Sequence, residues 1–163
     1  MAIDFNADEI FQIAEEIERN GAAFYRKAAE MFEQEGPKVT FLELADWEEE
    51  HLRTFTSMHS EITAEEAKPT TYDPEGQAEM YLQAFADGHV FDTKVKPADR
   101  LAGGESVPDI LRMAIGLEKD SVAFYTGLKE LVPARLGKDK IEKIITEEMS
   151  HITKLSRELA HTV

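Results

Sequence analysis

Apolar residues recur along this chain at helical spacing in five stretches, separated by short segments where Gly and Pro gather. From about Ala7 to about Glu33, Ile10, Ile13, Ala14, Ile17, Gly21, Phe24 and Ala28 mark one face, and Asn6 followed by Glu9 forms a capping box at its start. Gly36 and Pro37 predict the end of this helix and the start of a second, from about Pro37 to about Ser60, with Phe41, Leu44, Trp47, His51, Leu52 and Phe55 on one side. A short third helix is expected from about Pro74 to about Asp87, opening at Asp73-Pro74 and closing at Gly88, with Met80, Tyr81 and Phe85 as its apolar side. Ser106-Val-Pro108-Asp109 then signals a helix reaching about Val132. Pro133 and Gly137 mark the next turn, and the last helix runs from about Lys138 to about Leu159. Phe24, Phe124, Trp47 and Phe55 are expected in the core.

The stretches repeat. Residues 17–25, IERNGAAFY, align without a gap on residues 117–125, LEKDSVAFY, so Glu18 maps to Glu118, Phe24 to Phe124 and Tyr25 to Tyr125. At the same offset Glu48-Glu-Glu-His51 maps to Glu148-Met-Ser-His151. The chain therefore reads as two copies of an antiparallel helical hairpin, the first about 7–60 and the second about 106–160, joined by a crossover of about 61–105. A helix of about 25 residues is about 38 Å long, and the crossover can return along it. The predicted architecture is an all-α four-helix bundle forming one domain over residues 1–163, with the short helix of the crossover covering one flank.

Composition narrows what such a bundle does. Lys plus Arg number 18 against 33 Asp plus Glu, a net charge of −15, which argues against nucleic acid or a basic membrane-surface helix and favours cations as partners. The absence of Cys removes disulfides, thiolate zinc sites, iron–sulfur clusters and Cys nucleophiles, so any metal must be held by oxygen and nitrogen. The opening MAIDFNADEIF lacks a basic segment followed by an apolar one, and no apolar run approaches a membrane span. A cytoplasmic protein is expected.

On a helix, residues three apart are neighbours on one face. Glu48 with His51, and Glu148 with His151, can each offer a carboxylate oxygen and an imidazole nitrogen to one ion. With 23 Glu and five His in 163 residues, on the order of one such pair arises by chance. Glu158 with His161 is read as that chance pair, since the offset repeat places Met58 and Glu61 there. The other two pairs each follow a Glu by the same interval of 30 residues, Glu18 to Glu48 and Glu118 to Glu148. Folded as two related hairpins, these four Glu and two His meet midway along the bundle. Four carboxylates supply −4 against two divalent ions at +4, a neutral cluster that a core of low dielectric can accept. Glu49, Glu50 and Glu147 are assigned to solvated faces, and His59 and His89 carry no partner pattern.

One Glu per hairpin followed by Glu-x-x-His resembles the ferritin-like di-iron carboxylate proteins. Over nearly the whole chain, with stretches such as AAFYRKAAE and FLELADWEEEH, the resemblance is to rubrerythrins lacking a rubredoxin domain. It implies Glu48 and Glu148 as bridging carboxylates, Glu18 with His51 as terminal ligands of one metal, and Glu118 with His151 of the other. It also implies that Tyr25 and Tyr125 stand behind the ligands, seven residues and about −20° round the helix from Glu18 and Glu118. Rubrerythrins proper carry a further Glu three residues after the third helix's ligand. This chain has Ser121 there, with Gly21 at the repeat partner, and in this respect is more similar to the symmetrical six-ligand centre of bacterioferritin.

The resemblance implies an oxidoreductase whose cofactor is two Fe ions, with Mn or Zn also compatible with the donors. H2O2 or O2 would be its substrate, an external electron donor protein would serve in place of the missing rubredoxin centre, and the expected assembly is a homodimer. The alternatives from the same residues are a ferroxidase or iron-storage subunit, and a non-catalytic bundle that metals only staple.

Overall fold

The computed structural model describes residues 7–65, 76, 77, 80–82, 84 and 96–162. Helix α1 (Ala7–Glu30) buries Ile10, Phe11, Ala14, Glu18, Ala22, Tyr25 and Ala28, a stripe at helical spacing that is apolar except at Glu18 and the Tyr25 hydroxyl. Its predicted end lay about three residues later. The chain leaves the helix early because Phe32 turns inward to stack on Phe41, with ring centroids 5.4 Å apart and planes within 7°. The Asn6 end of the predicted capping box lies outside the described residues.

Helix α2 (Glu35–Ser60) follows at once and takes Gly36 and Pro37 into its first turn. Pro is tolerated there because first-turn N–H groups have no intrahelical acceptor. The short connection makes α1 and α2 antiparallel neighbours. Helix α3 (Val107–Leu131) begins as the sequence signals: the Ser106 hydroxyl accepts from the Asp109 amide at 3.3 Å, Pro108 sits in the first turn and Asp109 faces the positive end of the helix dipole. Its end is set by Pro133, a 3-10 turn Ala134–Leu136 and Gly137 at φ 87°, a left-handed conformation that Gly adopts without steric cost. Helix α4 (Lys138–Thr162) completes the second hairpin.

Packing is most extensive inside each hairpin, α1 on α2 and α3 on α4, and the hairpins face each other through α1 on α3 and α2 on α4. Two apolar clusters result. One end of the bundle is filled by Ile10, Phe11, Phe55, Met58, Leu128 and Ile141, the other by Phe24, Phe41, Leu44, Ile110, Leu111 and Leu155. Between them, at residues 18, 48–51, 118 and 148–151, lies a layer of buried polar side chains. This is the ferritin-like four-helix architecture, built as two repeated hairpins with a long crossover.

Within the crossover, Gln77, Met80, Tyr81, Leu82 and Ala84 are helical, as predicted, while the remainder of the proposed short helix, with Phe85 and His89, lies outside the described residues. Its buried residue is Leu82; Met80 is 64% exposed and Tyr81 39%. Of the predicted apolar side, Met80 thus faces away from the bundle, and the sequence reading missed Leu82. Leu82 and the Tyr81 ring lie against Gly127 of α3, where a Cβ would come within 2.9 and 2.8 Å of them, and the Tyr81 hydroxyl donates to the Ala123 carbonyl at 2.8 Å. The short segment thus does cover a flank of the bundle. Further on, a 3-10 turn at Pro97–Arg100 is tied to α1 by Lys27, whose ammonium donates to the Ala98 carbonyl at 2.8 Å. No helix among the described residues is long and apolar enough to cross a membrane.

Candidate metal centre

Each helix contributes to the central layer. Glu18 comes from α1, Glu48 and His51 from successive turns of α2, Glu118 from α3, and Glu148 and His151 from α4, and all six are buried. Every residue that the repeated spacing singled out as a candidate ligand is therefore brought to one place. Their donor atoms fall into two groups, Glu18, Glu48, His51 and Glu148, and Glu48, Glu118, Glu148 and His151, each with one atom per residue lying within 4.8 Å of the others. Glu48 and Glu148 belong to both groups. This is the arrangement that carboxylates shared between two ions require.

Glu148 joins the two halves directly. One of its oxygens lies 3.1 Å from His51 Nδ1 and the other 2.9 Å from His151 Nδ1, with the imidazole rings 5.8 Å apart. His51 Nδ1 also lies 3.6 Å from Glu18 Oε2, and His151 Nδ1 lies 3.5 Å from Glu118 Oε1. Both rings thus present Nδ1 to the centre.

The electrostatics are those of a charge cluster without a cation. Burial, reinforced by the charge of Glu148, raises the Glu18 and Glu48 carboxyls well above the usual range and Glu118 to about 8. Glu148 goes the other way: burial opposes its ionisation, but bonds to His151 and His51 outweigh it and lower its pKa. Burial likewise opposes the charged form of both histidines, yet the Glu148 carboxylate carries His51 to about 9, and Glu118 with Glu148 carries His151 to about 10. Without metal, the centre stores protons on carboxyls and imidazoles that metal ligation requires to be free of them.

Two buried carboxylate oxygens, Glu18 Oε2 and Glu48 Oε1, accept no hydrogen bond among the described residues. Unsatisfied buried acceptors cost stability, and here they point into the shared oxygen and nitrogen cluster. Gly21 leaves the space beside Glu48 that its carboxylate occupies, because a Cβ there would stand 3.0 Å from Glu48 Oε2. The donors, their burial and the −4 they carry when ionised all fit a pair of divalent ions.

The two tyrosines named from the sequence are also at the centre, with their partners crossed. Tyr25 of the first hairpin donates to Glu118 of the second, and Tyr125 donates to Glu18. Burial and the nearby carboxylates push both phenols well above 10, so they remain proton donors. At the position of the additional rubrerythrin Glu, Ser121 is buried and turns its hydroxyl to the Leu117 carbonyl at 3.1 Å.

Several residues differ from the sequence reading. Glu49 and Glu50 are on the surface as expected, Glu49 pairing with Arg26 and Arg53. Glu147 is not on a solvated face: it is half-buried and places Oε2 3.1 Å from His51 Nε2. Trp47 is not core: it is 43% exposed and lays its indole against His151, with centroids 5.9 Å apart. The signal that finds both is the repeat itself, since 47 and 147 are equivalent positions that each reach the histidine of the other hairpin. His59 has partners the sequence did not pair, with Glu15 and Asp8 each 2.8 Å from one ring nitrogen and Phe11 stacked on the ring. His161, of the chance pair, places Nδ1 2.6 Å from the Arg157 carbonyl of its own exposed turn.

No protein-family model matches the chain, and no curated protein sequence does so either. The chain is similar to a crystal structure from Thermotoga maritima, provisionally described as a ferritin-like diiron-carboxylate protein. Identity is 26%, the alignment covers 98% of this chain and 97% of that one, and the TM-score is 0.71.

Proposed function

Taking as premise that the chain has the ferritin-like fold of a di-iron-carboxylate protein, we propose that it is a rubrerythrin-like oxidoreductase acting on peroxide or O2. The observation that carries this reading is the sharing of Glu48 and Glu148 between two buried Glu/His groups, with Glu18 Oε2 and Glu48 Oε1 accepting no hydrogen bond among the described residues. Glu18 with His51 would hold one ion, Glu118 with His151 the other, and Glu48 and Glu148 would bridge them. Iron held there in the ferrous state would supply the two electrons by which H2O2 and two protons become two waters. Mn or Zn suits the same donors, and zinc would leave the site without redox chemistry.

The chain's own residues prepare the site for that step. The Tyr125 hydroxyl donates to Glu18 Oε1 and leaves Oε2 facing His51, while the Tyr25 hydroxyl donates to Glu118 Oε1, the oxygen that also faces His151. Both imidazoles present Nδ1 inward through contacts with Glu148. Apolar clusters above and below keep bulk water from the layer. With no Cys in the chain, reducing equivalents would come from a separate donor protein, and a homodimer in the cytoplasm is the proposed form.

One observation favours a second reading. Ser121 and Gly21 leave the centre with six symmetrical candidate ligands and no fifth carboxylate among them, which suits a ferroxidase that passes iron on for storage. The readings separate in stopped-flow oxidation of the di-ferrous protein. A reductase is oxidised by H2O2 and re-reduced repeatedly without taking up iron. A storage subunit consumes added Fe(II) beyond the centre's capacity and sediments as a large shell. Failure to react with either oxidant removes both.

A further inference from the structure

Besides Gly21 and Ser121, the internal duplication is broken at a pair of equivalent positions that touches the two histidines. Glu147 of α4 crosses to His51, its Oε2 3.1 Å from Nε2, and its other oxygen lies 3.3 Å from the Lys143 ammonium. Trp47 of α2 crosses in the same way to His151, but it brings an indole edge, and His151 Nε2 makes no hydrogen bond among the described residues. In both halves Nδ1 faces Glu148 and the Glu of its own hairpin pair, Glu18 for His51 and Glu118 for His151, whereas the outer nitrogens meet different residues.

We propose that the two halves of the centre are unequal by construction: the Glu147-backed half at His51 takes its ion first, and the Trp47-backed half at His151 fills second. This rests on the di-metal reading of the site. An imidazole that donates its outer N–H to a carboxylate has its tautomer and ring orientation fixed and its inner nitrogen made more basic, and removing such a partner typically weakens metal affinity about 10–100-fold. Glu147 supplies this to His51, and Lys143 holds the carboxylate in place. Trp47 packs against His151 but accepts no hydrogen bond from it, because an indole has only a donor. Glu147 is thus a positioning residue, and the Glu-to-Trp difference between the repeats turns a duplicated site into an ordered one.

The test uses the full-length protein, stripped of metal, with 15N-labelled histidine, titrated with Zn(II) and followed by NMR. His51 Nδ1 should move to its metal-bound shift during the first equivalent and His151 during the second. Glu147→Gln should weaken the first step about 10–100-fold and abolish the order. Trp47→Glu, at an exposed position, should strengthen the His151 step, so the idea stays testable if Glu147→Gln folds poorly. Both histidines shifting together in the wild type, His151 leading, or an order that survives Glu147→Gln would overturn the proposal while leaving two ions bound. No zinc shift at either histidine would instead overturn the di-metal reading on which it stands.

Discussion

The Tyr25 hydroxyl donates to Glu118, a carboxylate of the opposite hairpin, and Tyr125 returns the same bond to Glu18. Each hairpin therefore braces a buried carboxylate of the other. The two bonds tie α1 to α3, helices that pack on each other far less extensively than do the partners within each hairpin.

Tyr25→Phe should fold and lose about 1–3 kcal/mol, the range for a buried hydrogen bond to a charged or carboxyl group whose acceptor is left behind. Denaturant unfolding of the metal-free protein measures it. A loss no larger than that of an exposed Tyr→Phe change would show that the crossed bonds do not hold the hairpins together.

The six central residues were legible in the sequence because two independent periodicities carry them: the i, i+3 spacing of Glu48 with His51 and of Glu148 with His151, and the 100-residue repeat that copies all three ligands. The crossing of Tyr25 and Tyr125 was not legible. Helical spacing fixes which face a side chain shares, but which hairpin that face meets depends on how the two pack. Trp47 was misread for a related reason: it lies about 60° round α2 from Leu44, at the margin of the buried face, and a hydrophobic pattern does not distinguish margin from centre. Asp8 and Glu15 stand two turns apart on one face of α1, but no spacing in the sequence links them to His59 of α2.

Gly21→Ala should separate stability from metal binding. Replacing a helix-interior Gly by Ala stabilises by about 0.5–1 kcal/mol, but the new Cβ would lie 3.0 Å from Glu48 Oε2 and displace a carboxylate assigned to both ions. The thermal midpoint of the metal-free variant should equal or exceed that of the wild type while its metal affinity falls. Unchanged affinity would mean that Glu48 does not need the position it occupies here.

The pH dependence of the metal-free protein has a definite sign. Glu18, Glu48 and Glu118 are raised, Glu118 to about 8, and His51 and His151 to about 9 and about 10, so the native state binds more protons than the unfolded chain. Their contribution is complete below the unfolded values of 4.5 for Glu and 6.5 for His and is lost as pH rises through the folded ones. Glu148, lowered, contributes above 4.5 and loses that contribution as pH falls. Metal-free stability should therefore decline from about pH 5 to about pH 9, by at most ~1.4 kcal/mol per pH unit for each proton released. Metal-loaded protein should gain on it across that range, because the ions replace the protons. Thermal midpoints of both forms check this. A gap that does not change with pH would contradict it.

The count of metal ions per chain bears most directly on the account. Anaerobic titration of the metal-free protein with Fe(II), followed by removal of free metal and iron analysis, should give two ions per chain. Glu148→Ala should reduce occupancy of both positions under dilute metal, since that carboxylate touches both histidines and belongs to both ligand groups. One ion or none in the wild type, or two retained undiminished in Glu148→Ala, would contradict a dinuclear centre bridged by Glu48 and Glu148.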